Sequence, residues 1–462
     1  MLQPFNLGHA LCQVFRPAKR LSLLFSIALI GITDHAAAQT WTNVGSPGFT
    51  GCVTRYPAMA VSNSSVPYLV YSDSLNGYKA TVMKYTGGTW TPVGATGFSA
   101  AQANYTGIAI ANDESVYVCY SDESDSNKVT VMKYNGSSWT PVGGVGVSPG
   151  YNAINVAMAL DASGMPYVVY SGGKASVIKY NGTSWDVVGT TGFSAGTAQY
   201  CRIAINATGT PYVIYEDAGN MLKATVMKYD GTNWVNVGTP GFSTTSQTQY
   251  TNIAIAPDGT LYASYSDGYS GPATVMKFNG TDWQMIGTAL GNSNWVSLAV
   301  DTTGVPYLGF EDINNSRKAT VMKFIGGSWA AVGSTGFSPS STYNNTMAMG
   351  RNGIPYVSFN DATVTSKCTV MRFGTTTGIA NITVADMHMH IFPNPGSGKF
   401  NVNVASSQQQ ATTITIADMA GRVVMNTNTY TNTDLQLELA PGIYLLSATN
   451  HDGTVTEKVV IR

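Results

Sequence analysis

Seven times along a chain of 462 residues the phrase Trp-x-x-(Val/Ile)-Gly returns, at Trp41, Trp90, Trp139, Trp185, Trp234, Trp283 and Trp329, with spacings of 49, 49, 46, 49, 49 and 46 residues. So regular a period means one structural unit each time, and units of about 40 to 50 residues made of short strands are characteristic of propeller blades. The fullest copy runs from Lys223 to Gly238: a strand-like run, the hairpin signal Asp230-Gly231, and a second strand opened by Trp234. Parallel copies start at Lys79, Lys128, Lys174, Pro272 and Lys318, and a truncated one at Lys367 stops at Phe373-Gly374.

Each unit carries four strand signals. The first is short and small-apolar, as in Ala58 to Val61 or Ile203 to Ile205; the second is close to Pro-Tyr-Val-x-Tyr, as from Pro67 or Pro211. Proline is tolerated there because the missing donor falls at the end of the ladder. The third is Thr-Val-Met-Lys-Tyr or similar, and the fourth begins near Trp. After Gly45 the first three signals occur seven times but the fourth only six, and the orphan fourth signal is Trp41 to Gly45. The N-terminal strand is therefore expected to complete the last sheet and close a seven-bladed ring that leaves no bare edge. A linear solenoid is the alternative, and it offers no reason to split the units in this way. The repeated Trp is expected to seal the contact between blades.

Charged residues make up only 11% of the chain, with a formal net charge of -1. No basic stripe is present to neutralise phosphates, so nucleic acid is not expected as a partner. Lys19 and Arg20 precede the apolar run Leu21 to Ile32, and Ala36-Ala37-Ala38 offers a small-residue cleavage site, so residues 1–38 read as a signal peptide. No later stretch is long and apolar enough for a transmembrane segment. Export permits disulfides, but Cys52, Cys119, Cys201 and Cys368 fall at different points of the repeat, leaving three pairings open. With no His from Gln39 to Gly378, neither a metal nor a cofactor is expected in the ring.

Past Gly374 the repeat ends, and residues 375–386 read as a linker. Then follow Ile391-Phe392-Pro393-Asn394-Pro395, Gly398-Lys399-Phe400, Ile416 to Val424 with Gly421-Arg422, Leu439-Ala440-Pro441-Gly442-Ile443-Tyr444 and the closing Lys458 to Arg462. This ordered series resembles the type A C-terminal sorting domain of the type IX secretion system found in Bacteroidetes. The resemblance implies that residues 387–462 form a small immunoglobulin-like β-sandwich, recognised by the secretion machinery, with the protein then released or attached to the outer cell surface. His388 and His390 lie at its entrance without the partners a metal site needs. The repeats themselves resemble secreted bacterial propeller repeats found beside such tails, and more remotely kelch-like or sialidase-like propellers. The phrase Asp230 to Trp234 departs from the sialidase Asp-box in spacing, and Arg55, Arg202, Arg317, Arg351 and Arg372 fall at unrelated repeat positions.

An aromatic stands just ahead of the first strand in most units: Tyr56, Tyr105, Tyr200, Tyr250, Trp295 and, one residue out of register, Tyr343; the third unit has Asn155. Phe49, Phe98, Phe193, Phe242 and Phe337 flank them in sequence. The second strands end in Asp73, Asp122, Asp217, Asp267, Asp312 and Asp361, facing a repeated Lys that opens the third strand. On one face of a propeller, at the channel mouth, these Tyr and Asp residues make a candidate ligand-binding ring: aromatic faces for sugar rings, carboxylates for hydroxyls. Three functions follow from it. The first is a secreted or surface binding and adhesion module for a glycan or surface polymer. The second is a glycosidase or lyase, which needs residues unique to one blade and has only Glu114, Glu123, Glu216 and Glu311 to draw on. The third is a scaffold for a protein partner.

Overall fold

A computed structural model of the chain describes residues 39–150, 152–375, 388–405, 411–418, 421–431, 433–450 and 453–462. The expected signal peptide and nearly all of the expected linker lie outside these residues. The repeats form seven four-stranded antiparallel sheets. In the first blade the strands run Thr54–Val61, Pro67–Asp73, Lys79–Thr86 and Thr89–Pro92 from the axis outward. The inner strands of the next six are Ala103–Ile110, Ile154–Leu160, Ala198–Ile205, Gln249–Ile255, Ser293–Val300 and Thr342–Met349. Each inner strand touches the next, and the seventh touches the first, which closes the circle and makes the architecture a β-propeller.

The last sheet takes its outer strand from the opposite end of the repeat region. Gln39–Asn43 pairs antiparallel with Lys367–Thr375, with Trp41 opposite Phe373. Trp90 stands opposite Tyr85, and Trp139 opposite Tyr134, in the same way. The borrowed strand thus occupies the register the other blades fill with their own. The closure is reinforced nearer the axis, where the Thr54 hydroxyl donates to Asn360 Oδ1 at 2.6 Å and the Asn360 amide returns a bond to the Thr54 carbonyl at 3.0 Å.

Burial follows the layers. Every residue of the second strand Pro67–Asp73 is buried, because both faces of a central strand meet neighbouring blades. The outer strand Thr89–Pro92 is largely open. What holds blade to blade is the repeated phrase. Each Trp donates its Nε1 proton to the carbonyl of the Val or Ile in the preceding blade's phrase, at 2.6–3.0 Å in all seven cases. The seventh, Trp41 to Val332, bridges the ends of the ring. Five of the indoles also stack on the Phe of a Gly-Phe-(Ser/Thr) phrase, with centroids 3.9–4.9 Å apart. The Phe residues are therefore part of the packing between blades and do not flank the channel aromatics.

The Gly that ends each phrase follows from the same contact. Gly94 has φ +70°, and a Cβ there would meet the ring of Tyr134 at 2.9 Å and that of Trp139 at 3.1 Å. The four cysteines are free buried thiols, so no pairing is made.

In the tail, His388–Phe392, Lys399–Ala405 and Asp434–Glu438 form one sheet, and Val423–Tyr430, Ala411–Asp418, Gly442–Asn450 and Gly453–Ile461 a second. The two share one apolar core that includes Phe400, Val402, Ile414, Ile416, Leu446 and Val459, as in a small β-sandwich.

The indole contact predicts the cost of filling it. Gly88 has φ +85° with open space around it, so Gly88→Ala meets only the left-handed backbone penalty, about 1–2 kcal/mol. Gly94→Ala is expected to lose about 1–3 kcal/mol more, from overpacking against Trp139. Denaturant unfolding of the two variants checks this, and equal losses would contradict it.

Candidate functional site

The channel aromatics lie inside the inner strands, which are longer than the sequence pattern indicated. In every blade the pairing of inner and second strand skips two residues, for example between Arg55 and Ala58, between Gln199 and Arg202, and between Tyr343 and Thr346. The first residue of each skipped pair has a left-handed backbone: Tyr56, Tyr105, Asn155, Tyr200, Tyr250, Trp295 and Asn344, with φ between 49° and 55°. This is a β-bulge repeated around the ring. Asn tolerates that conformation and Gly prefers it, whereas a residue with a bulky side chain meets a penalty of about 1–2 kcal/mol. The third and seventh blades carry the Asn that the backbone favours. The other five carry an aromatic that it does not.

Tyr343 is thereby corrected. It pairs with Asn360 one residue ahead of the bulge, and Asn344 takes the collar position. The five aromatics form two arcs separated by the two asparagines. Tyr56 and Tyr105 lie 4.7 Å apart, Tyr200 and Tyr250 5.3 Å, and Tyr250 and Trp295 4.8 Å, between ring centroids. Tyr56 is 38% exposed and the other four are half-buried. The bulges are tied to their neighbours in places: the Thr106 hydroxyl donates to the Tyr56 carbonyl, and that of Thr251 to the Tyr200 carbonyl at 2.6 Å. Burial pushes the Tyr200 hydroxyl up to about 12, assisted by its neighbour Tyr250.

The collar opens into an axial cavity of about 590 Å³, within the range of small-molecule sites, about 300–1,000 Å³. Its wall includes all five collar aromatics together with Arg55, Arg202, Asn252 and Asn345. The two arginines are functional candidates that the repeat-by-repeat reading passed over. Arg202 stands two residues beyond the bulge, where Ala58, Gly107 and Ala157 stand in the first three blades, so a register of small residues was the signal.

The Asp row is placed elsewhere. Asp73, Asp122, Asp217, Asp312 and Asp361 are buried, Asp267 is half-buried, and none of the six is in the cavity wall. Asp73, Asp122, Asp217 and Asp361 cap a short helical turn, each accepting from the backbone N–H two residues on at 2.9–3.0 Å. All six accept from a third-strand Thr hydroxyl, Thr81, Thr130, Thr225, Thr274, Thr320 or Thr369, at 2.8–3.2 Å. Asp73 and Lys79 do sit opposite each other in register, as do four further pairs, yet the carboxylate turns inward to Thr. This is turn and hairpin chemistry.

Two blade-specific acids replace the Ser before Asp. Glu311 is ion-paired with Arg317 at 2.5 Å. Glu216 is 5% exposed, and burial lifts its carboxyl from 4.5 to about 7. Among the described residues no group of three or more His, Cys, Asp or Glu side chains is arranged to hold a metal ion. Nor is any helix among them long and apolar enough to cross a membrane.

Residues 390–462 match the family described as secretion system C-terminal sorting domain. The tail is a type IX sorting domain, which marks the chain for export, to be secreted or attached at the outer surface. No curated protein matches the chain. Among solved structures, a lectin of Aleuria aurantia in complex with Fucα1-6GlcNAc is similar at 15% identity over 63% of this chain and 97% of that one, TM-score 0.42. An α-L-arabinanase of Penicillium chrysogenum complexed with arabinobiose is 11% identical over 74% and 99%, TM-score 0.42. An ulvan lyase, of a polysaccharide lyase family, is 11% identical over 73% and 95%, TM-score 0.45. Likeness at this level says nothing about what the channel binds.

The Glu216 environment predicts a pH dependence. Between about pH 4.5 and 7 the folded protein holds a proton that the unfolded chain has released, so this group lowers stability as pH rises through that window and adds no further slope above it. Glu216→Gln is expected to match the parent near pH 4.5 and to exceed it at pH 8. Denaturation midpoints at the two pH values check this; a constant difference between the proteins would contradict it.

Proposed function

We propose that the exported ring is a carbohydrate-binding module whose aromatic collar stacks on sugar rings at the mouth of the axial channel. One observation carries the reading: in five of seven blades an aromatic occupies a left-handed bulge position whose backbone favours Asn, the residue present in the other two. Backbone strain retained at the rim of a cavity is a common mark of a binding surface. Flat rings with hydroxyl or indole donors at their edges suit sugars, which present both apolar faces and hydroxyl groups.

A carbohydrate-active enzyme is the second reading. It is favoured by Glu216, whose elevated pKa would suit a general acid, but the carboxylates nearest the collar do not line the cavity. Release of reducing ends from a polysaccharide panel would support this second reading.

The test of the binding reading uses Asn, since Asn155 and Asn344 already hold the bulge conformation. On a glycan array, each of Tyr105→Asn, Tyr200→Asn and Tyr250→Asn is expected to weaken binding by roughly tenfold, about 1.4 kcal/mol, with the fold intact. Unchanged binding by the triple variant would remove the proposal.

A further inference from the structure

The cavity wall below the collar is small and neutral around most of the ring. Two residues past the bulge stand Ala58, Gly107, Ala157, Ser297 and Thr346, whereas the fourth blade places Arg202 there and the fifth Asn252. Gly107 is held small by its own neighbour, since a Cβ there would come within 2.8 Å of the Cys119 thiol.

Arg202 has no carboxylate partner among the described residues. Its guanidinium makes one hydrogen bond, from Nη1 to the adjacent Cys201 carbonyl at 2.9 Å, out of five donors. Arg202 is exposed to the channel, whose wall it helps to form. Its remaining donors are open to an anion that enters the channel. A second group in the wall is also unsatisfied: Asn345 is 7% exposed, and neither its Nδ2 nor its Oδ1 has a partner. At the mouth Arg55 adds a second positive charge, 4.1 Å above the Tyr78 ring. The wall contains no Asp or Glu among the described residues. Of the acids behind the collar, Glu311 is engaged by Arg317 and Glu216 is kept partly protonated near neutrality.

We propose that the channel takes an acidic saccharide, one carboxylate or sulfate of which seats on Arg202 while its sugar ring lies against the aromatic collar. The proposal rests on the collar being a sugar platform and adds the class of sugar. Arg is suited to this because its planar fork gives two parallel bonds to either oxyanion. Arg55 raises the local concentration of anions at the mouth.

The test compares the full chain with Arg202→Met and Arg202→Lys by calorimetric titration with trigalacturonate and with neutral galactotriose, alongside melting in sulfate and in chloride at equal ionic strength. The parent is expected to bind trigalacturonate at least tenfold more tightly than galactotriose. Arg202→Met should lose ten- to hundred-fold toward the acid and leave the neutral sugar unchanged, with Arg202→Lys recovering part of the loss. Without ligand, Arg202→Met should melt close to the parent temperature, since the side chain is exposed to the channel, whereas an arginine serving structure alone would leave a less stable protein. Sulfate should raise the melting temperature of the parent more than that of Arg202→Met, the excess over its general stabilising effect reporting the site. Equal affinity for the two sugars would overturn the acidic-ligand inference and leave the collar reading standing. Binding of neither sugar, with the same sulfate response in parent and Arg202→Met, would overturn both.

Discussion

Adjacent blades share two broad apolar faces and no backbone ladder, so apolar contact alone would let them slide. Their register is fixed by the indole proton that each Trp gives to the preceding blade's carbonyl, together with backbone bonds such as that from Ala103 N–H to the Tyr78 carbonyl. The indole bond is directional and partly buried, so leaving either partner unmade would cost roughly 1–3 kcal/mol. The Phe stacked on the indole, and the Gly beneath it that admits no Cβ, make the same contact sterically demanding. Because the seventh of these bonds runs from Trp41 to Val332, the ring is closed by the interaction that builds it.

Most of this architecture was legible in the sequence because it repeats. Trp, Val and Gly recur at fixed spacing since every interface demands the same shapes, and the surplus of one strand signal at the start revealed how the circle is completed. The substitution of Val147 and Leu290 for the stacking Phe in two units also follows: the indole bond is kept there, at 2.7 and 3.0 Å, while the aromatic partner is dispensable. The sorting tail was legible for a different reason, an ordered set of short motifs.

The channel was only half legible. The collar aromatics were visible as a column, but the bulge that presents them was not, because a left-handed Tyr leaves no mark in composition; Tyr343 was assigned to a position that Asn344 fills. The Asp column repeated just as faithfully and belongs to turns, since capping and hairpin chemistry is required of every blade alike. Repetition marks what the fold needs. Arg202 and Glu216, each present in one blade alone or nearly so, break the pattern. In a ring of near-identical units, chemistry that singles out a ligand must come from such departures.

Amide hydrogen exchange of the peptide covering residues 39–45 tests the closure most directly. In the full chain the amides of Gln39–Asn43 that face the partner strand, residues 367–375, are expected to exchange slowly, because the two strands pair along their length. Exchange at the rate of an unstructured terminus, with 367–375 protected only as an edge strand, would contradict the closed ring and the channel built upon it.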